Sequence, residues 1–381
     1  MAINLRSPSF ISEWATGLSY GTLDISIWEG SSANPVTAQY SLRKSVLSGG
    51  NRVTFEVSEL IKDYIDINFN GAYTSQVVWY QTVVKLYDSL DVQIGTTKTS
   101  NPSIALDSYS YFEENGFDID NESVLISNKE MFVLEDNTFR IPLNANTNPT
   151  ITFFLNNEII SSQSFTPSVW NTEQIKYVSI YGINTDYDTF EERILQSGGT
   201  FEENKCIKAF FDEYSIGKVD KITISDDTGV LKNIKVTTIE ECKYEPKKVT
   251  FINKFGALQD MYFFKKSVEK MAVKKDYYGS NILSSTGTYD RTHHTVRDFN
   301  INGSESISLS SGFLSDEYNE VFKQLMLSEK VWITNMIETG EQVLPINVKT
   351  SSITYKTSLN DRLVEYSFDF DNSFNVINNI R

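Results

Sequence analysis

From Thr22 to Trp28 the chain alternates without a break: Leu23, Ile25 and Ile27 fall on one side of an extended backbone, Asp24, Ser26 and Trp28 on the other. Successive side chains of a pleated strand point to opposite faces, so this period of two predicts a half-buried β-strand. Glu29-Gly30-Ser31-Ser32 then turns the chain. Val36 to Val46 and Arg52 to Val57 are again rich in β-branched and aromatic residues and are divided by Ser48-Gly49-Gly50-Asn51. A longer pair, Gln76 to Tyr87 and Gln93 to Lys98, joins through Asp88-Ser89. Short strands at this spacing predict a sandwich. One short helix is expected among them, Glu59 to Ile65, with Ser58 as N-cap and Leu60, Ile61 and Tyr64 on one face.

The same grammar continues less regularly through Ser123 to Ile126, Met131 to Leu134, Thr138 to Pro142 and Thr150 to Leu155, with Asn144 to Pro149 a loop by composition. Asn156-Asn157, inside Ile151 to Phe165, predicts a tight hairpin because Asn tolerates positive φ. Thr189 to Gln196 and Glu202 to Phe211 mix acidic and aromatic residues with helical periodicity. Lys218 to Ser225 and Leu231 to Ile239 flank Asp226-Asp227-Thr228-Gly229 as a second hairpin, and Lys247 to Asn253 with Met261 to Phe264 form a further pair around Phe255-Gly256. Thr295 to Ile301 and Ser306 to Leu309 read as strands. A helix fits Asp316 to Leu327, since Tyr318, Val321, Phe322, Leu325 and Met326 share a face and Ser315 can cap it. Lys330 to Ile337, Gln342 to Asn347, Ser352 to Lys356 and Leu363 to Phe370 then make a four-strand antiparallel run. No repeat of roughly 20–50 residues is visible, which disfavours a solenoid.

A chain of 381 residues holds two to four domains at roughly 100–200 residues each. The expected fold is mainly β: multi-domain antiparallel β-sandwich modules with a few short helices and a C-terminal α+β domain. The boundaries fall at residues 1–100 for an N-terminal β-sandwich, 101–170 for a second β module, 171–288 for a mixed α/β middle segment, and 289–381 for a C-terminal antiparallel sheet with one packed helix.

Aromatic residues make up 13% of the chain and charged residues 22%, which gives enough apolar area for a folded, globular protein. The formal net charge is −16, and an acidic body repels both a phosphate backbone and an anionic membrane surface. That argues against nucleic-acid binding through surface charge. The opening MAINLRSPSFISEWATG lacks the basic segment and apolar run of a secretory signal, and no stretch approaches about 18 uninterrupted apolar residues. Cys206 and Cys242 are the only cysteines, too few for a disulfide framework, and read as ordinary semi-buried residues.

The sharpest enzyme-like match is Gly17-Leu18-Ser19-Tyr20-Gly21, which fits the G-x-S-x-G nucleophile elbow. The elbow must feed a helix, whereas an alternating strand follows here, so a strand-entry turn is the better reading. His293 and His294, with Asp290 and Asp298 nearby, are the only histidines, but adjacent residues of a strand point to opposite faces and do not give a zinc spacing. Asp118, Asp120 and Glu122 alternate as in a calcium loop yet lack its glycine and closing glutamate. Glu191-Glu192 and Glu202-Glu203 offer paired carboxylates of the kind glycoside hydrolysis needs, and charged helix faces explain them equally well. The sequons Asn121-Glu122-Ser123 and Asn302-Gly303-Ser304 arise readily by chance in an Asn/Ser-rich chain. No phosphate loop, dinucleotide fingerprint or H-E-x-x-H is present, so no catalytic, metal or cofactor residue is assigned and the chain is not expected to be an enzyme. Lys265, Lys266, Lys270, Lys274 and Lys275 are the main positive feature, read either as a solvated helix face or as an electrostatic dock for another copy of this acidic protein.

Two segments carry a resemblance. Val249-Thr250-Phe251-Ile252-Asn253-Lys254-Phe255-Gly256-Ala257 with Met261-Tyr262-Phe263-Phe264, and Ile353-Thr354-Tyr355-Lys356-Thr357 through Leu363 to Phe370 and Ile377-Asn378-Asn379-Ile380, resemble tail and virion proteins of phages and prophages of Bacteroidetes hosts. The resemblance covers about a third of the chain. It implies a structural subunit of a tail, baseplate or head-to-tail connector that assembles into a homo-oligomeric ring with other tail or connector proteins, located in the virion and in the host cytoplasm during assembly. It brings no catalytic residue, cofactor or metal, no membrane association and no specific nucleic-acid binding, although an acidic ring suits the wall of a DNA path. The competing reading is a carbohydrate-binding sandwich or receptor-binding adhesin, in which Trp28, Trp79 and Trp170 would stack on sugars; Trp79 argues against it by lying in a strongly apolar strand. A glycoside hydrolase on the same scaffold ranks third.

Overall fold

The computed structural model describes the chain except residues 1, 31–36, 48, 115–118, 135–137, 146, 166–174, 183–212, 217–218, 240, 242, 282, 284–285, 290, 338–339, 354–362 and 378–381. The protein is mainly β, built from several sheets, and Asn319–Leu327 is the one helix of seven residues or more among the described residues. It divides into two compact units: Met1–Glu240 with Thr250–Met261 and Glu317–Ser328, and Glu241–Val249 with Tyr262–Asp316 and Glu329–Arg381.

In the first unit the alternating segment forms the strand Tyr20–Trp28, which buries Leu23, Ile25 and Ile27 and leaves Asp24 and Ser26 half-exposed. Its sheet runs in the order Ile3–Asn4, Ser103–Leu106, Val77–Tyr87, Tyr20–Trp28, Tyr40–Ser45. Leu23, Ile25 and Ile27 pack with Val53, Phe55 and Ile61 on one side. On the other, Trp28 and Trp79 stack with ring centroids 6.5 Å apart against Ile104, Leu106 and Leu125. Cover on both faces buries Val78, Trp79 and Tyr80 in succession, whereas burial alternates from Gln81 to Tyr87.

A second sandwich follows in the same unit. Its five-stranded sheet runs Glu158–Ser164, Thr150–Leu155, Lys221–Asp226, Gly229–Ile239, Glu130–Leu134, and its three-stranded sheet runs Thr138–Asn144, Ile175–Gly182, Glu213–Ile216. Phe153, Ile222 and Ile234 from the first and Ile141, Val178 and Ile180 from the second share one core. Gly229–Ile239 pairs parallel with Glu130–Leu134, and Ile175–Gly182 parallel with Glu213–Ile216, so the sheets are not wholly antiparallel. The Asn156-Asn157 turn forms as expected, with φ of 52° and 68°. Because a β-branched side chain is strained there, Asn157→Val is expected to cost about 1–2 kcal/mol and Asn157→Gly almost nothing. Urea denaturation checks this, and equal midpoints for the two variants would show that the turn does not set the hairpin.

The turn joining Lys247–Ile252 to Leu258–Phe263 reaches into the first unit's core, where Phe255 and Ala257 pack with Leu106, Ile119 and Leu125. Gly256 has φ +77° and its Cβ position would lie 3.1 Å from Leu106 Cβ, so this site needs glycine on two counts. Asn253 is fully buried and makes four side-chain hydrogen bonds: it donates to Leu125 O (2.7 Å) and Gln259 Oε1 (2.9 Å) and accepts from Phe255 N (3.0 Å) and Ala257 N (3.1 Å).

The second unit carries strands in the order Val331–Ile337, Gly340–Val348, Leu363–Asn375, Val296–Ser315, Val268–Gly279. Phe263 meets Phe368 and Phe370 edge-on at 6.0 Å. Val296–Ser315 bulges between Ser310 and Phe313, and Gly312 there has φ +73° with the Phe264 ring 2.7 Å from where a Cβ would sit.

Several local expectations need correction. The first helix is Ser58–Lys62, with Val57 at the N-cap position, and the Ser58 hydroxyl donates to the Glu56 carboxylate instead of capping. Asp316–Tyr318 is a 3-10 turn that precedes the helix proper, and Tyr318, not Ser315, occupies its N-cap position. The two expected strands Thr295 to Ile301 and Ser306 to Leu309 are one strand, because the polar Asn302-Gly303-Ser304-Glu305 stretch remains laddered to its neighbour. Ser123 to Ile126 makes only an isolated bridge, Val124 with Leu143. Val36 to Val46 shortens to Tyr40–Ser45, and Ser352 and Ile353 are not in a strand. Thr189 to Gln196, Glu202 to Phe211, Cys206 and Cys242 lie outside the described residues.

Candidate assembly interface

The lysine cluster lies on a strand, not on a helix face. Val268–Gly279 pairs with Val296–Ser315 and ends the second unit's sheet, so a long hairpin arm carries Lys270, Lys274 and Lys275, with Lys265 and Lys266 just before it. Lys-rich segments fit either period, and here the backbone ladder to Val296–Ser315 makes the segment a strand. At about 3.4 Å per residue the outer strand is about 40 Å long.

Every residue of Val268–Gly279 is exposed, on both faces of the ribbon. The apolar ones are large: Met271 is 58% exposed, Val273 56% and Tyr277 75%, and Val296, Phe299 and Ile301 on the partner strand are also exposed. Isolated exposed apolar residues are ordinary on protein surfaces, whereas eight on one arm mark an interaction surface. The arm is held internally by Lys275 to Asp298 (2.6 Å), Asn300 to Asp276 (2.9 Å) and the edge-to-face contact of Tyr278 with Phe299. Lys265 pairs with Glu241, whose carboxyl it holds below the usual range through a hydrogen bond. Lys266, Lys270 and Lys274 make no ion pair with any described residue. The arm therefore presents a free strand edge, apolar side chains and uncompensated positive charge together.

The first unit holds a different feature that the sequence did not signal, a cleft of about 500 Å³ that brings together Tyr111, Glu114, Lys232, Lys254, Glu320 and Lys323. Most of these charges answer one another. Lys254 pairs with Glu114 at 2.5 Å, the Lys323 ammonium sits 3.5 Å from the centre of the Tyr111 ring, and Glu320 accepts from Tyr111 Oη (2.7 Å) and Gln324 Nε2 (2.8 Å). Lys232 differs: its ammonium donates to Ile126 O at 2.5 Å, and burial lowers its pKa to about 8, helped by the nearby Lys129 and Lys254 charges and opposed by Glu122.

The other candidates from the sequence do not converge. Gly17, with φ +79°, turns the chain into the strand beginning at Tyr20, so Ser19 lies at a strand entry and not at an elbow before a helix. His293 Nε2 contacts Arg297 at 2.6 Å, and Asp298 is engaged by Lys275. Among the described residues no group of three or more His, Cys, Asp or Glu side chains is placed to hold a metal ion. Asp290, Asp118, the Asp120 side chain, Glu191, Glu192, Glu202, Glu203 and Trp170 lie outside the described residues. Trp79 is buried and donates its indole N–H to Gly30 O at 3.0 Å, as a core residue does. Among the described residues no helix is long and apolar enough to cross a membrane. No family model matches the chain, and no curated protein sequence matches it.

Proposed function

We propose that this protein is a structural subunit of a phage virion, forming a homo-oligomeric ring in the tail, baseplate or head-to-tail connector and docking neighbouring tail proteins. The exposed hairpin arm carries this reading. The arm's lysines guard the strand edge against indiscriminate pairing, but the large apolar side chains it exposes, Met271, Val273 and Tyr277 among them, serve a monomer nothing and mark a surface for a partner. The virion setting rests on the resemblance of Val249 to Phe264 and Ile353 to Ile380 to phage tail and virion proteins. The reading assigns no catalytic residue and no cofactor. A net charge of −16 suits a ring through which a genome passes, because like charge keeps phosphate off the wall.

Light scattering over a concentration series, with negative-stain electron microscopy of the same sample, tests the proposal. Closed symmetric particles are expected, and they should not retain DNA at physiological salt. A second reading, carbohydrate binding, draws on Phe10 and Trp14, which stand 63% and 60% exposed on one face of the strand Phe10–Trp14. A strict monomer that is retarded on a polysaccharide column would replace the assembly reading with this one.

A further inference from the structure

The arm's charge restricts the symmetry of any contact it makes. Lys265 to Gly279 contains five lysines and two acids in a chain whose net charge is −16. Two copies that paired their arms about a two-fold axis would set this net-positive segment against itself in any register, with Lys270 facing Lys274 when the axis passes Ala272, and like charges facing across strands are destabilising. The arm's complement is thus a different, non-basic surface of the neighbouring copy. Strand edges offer the matching backbone groups, and the described edges differ in charge. Tyr40–Ser45 carries Arg43 and Lys44. On Phe10–Trp14, Glu13 is already engaged by Lys98. Glu158–Ser164 ends the first unit's five-stranded sheet, contains no lysine or arginine, leaves Glu158 without an ion pair to any described residue, and exposes Ile159 and Ile160.

We propose that the free edge of Val268–Gly279 on one copy adds as a strand to the free edge of Glu158–Ser164 on a second copy, a head-to-tail contact that uses one arm per interface. This rests on the assembly reading and names its partner. Backbone hydrogen bonds would supply affinity, while Lys270 and Lys274 against Glu158 with the apolar residues of both strands would set register. A contact between two different surfaces propagates and closes into a ring when its rotation divides a full turn.

Complementary variants test the proposal. Lys270→Glu with Lys274→Glu disables the arm, and Ile159→Lys with Ile160→Lys disables the receiving edge; all four positions are at the surface, so thermal midpoints near that of the parent confirm folding. Each variant alone is expected to lose self-association. Their equimolar mixture should give a dimer and nothing larger, because one intact arm meets one intact edge. A variant that assembles like the parent, or a mixture that stays monomeric while the parent assembles, overturns the head-to-tail contact and leaves the assembly reading standing. A parent protein that is monomeric at every concentration defeats the assembly reading itself.

Discussion

Replacing Asn253 with leucine is expected to destabilise the first unit by about 3–5 kcal/mol, close to the whole stability of a small domain. The asparagine amide is fully buried and satisfies four groups at 2.7–3.1 Å: the carbonyls of Leu125 and Gln259, and the backbone N–H groups of Phe255 and Ala257. Leucine matches its bulk but leaves two donors and two acceptors without partners, away from water. Each orphan costs about 1–3 kcal/mol before relaxation, and the sum is reduced by whatever the turn can re-pair. Asn253→Asp keeps the two acceptor contacts to the N–H groups and sets a carboxylate against two carbonyl oxygens, so it too should destabilise, less so where the carboxyl is protonated. Urea denaturation of both variants measures this; a loss under 1 kcal/mol for the leucine variant would show that the turn is held by Phe255 and Ala257 packing alone.

The second large effect concerns Lys232. Its pKa is about 8 in the folded protein against an ordinary 10.5, chiefly because burial penalises the ammonium. The unfolded chain therefore binds more protons between those two values, and stability rises with pH across that window. Below about 8 the cost is fully present, and above 10.5 it vanishes. At about 1.4 kcal/mol per pKa unit the gain is at most about 3.5 kcal/mol. Lys232→Met should equal or exceed the parent in stability at pH 7 and lose this rise. Because other groups titrate in both proteins, the informative quantity is the difference between parent and variant at pH 7 and at pH 10. A difference that does not change with pH would mean that the ammonium is solvated in the native state.

The sandwich architecture was legible wherever one face of a strand is buried and the other wet. Leu23, Ile25 and Ile27 carry that pattern openly, and Asn156-Asn157 and Asp226 to Gly229 announce their hairpins through residues that accept positive φ. Caps were less legible: Ser58 has the right chemistry but is drawn to Glu56, since a nearby carboxylate competes with the helix N–H groups for the same hydroxyl. The arm is hard to read from its sequence for a related reason. With both faces in water, nothing but the backbone ladder distinguishes strand from helix, and the lysines themselves favour neither.

The sequence by itself determined that this is a mainly β protein, the approximate place of many of its strands, and that its charge is acidic with one basic segment. Those properties are local or additive, and each is written in a few neighbouring residues. Tertiary structure alone decided which strands share a sheet, such as Glu130–Leu134 beside Gly229–Ile239. It also placed the helix Asn319–Leu327 in the first unit, where Tyr318 meets the Phe132 ring at 5.6 Å and Gln324 reaches Ser127. Buried polar partners behave in the same way: Asn253 and Leu125 are far apart in the chain, and their bond exists only because apolar burial brings the two segments together and then forbids either group to remain unpaired.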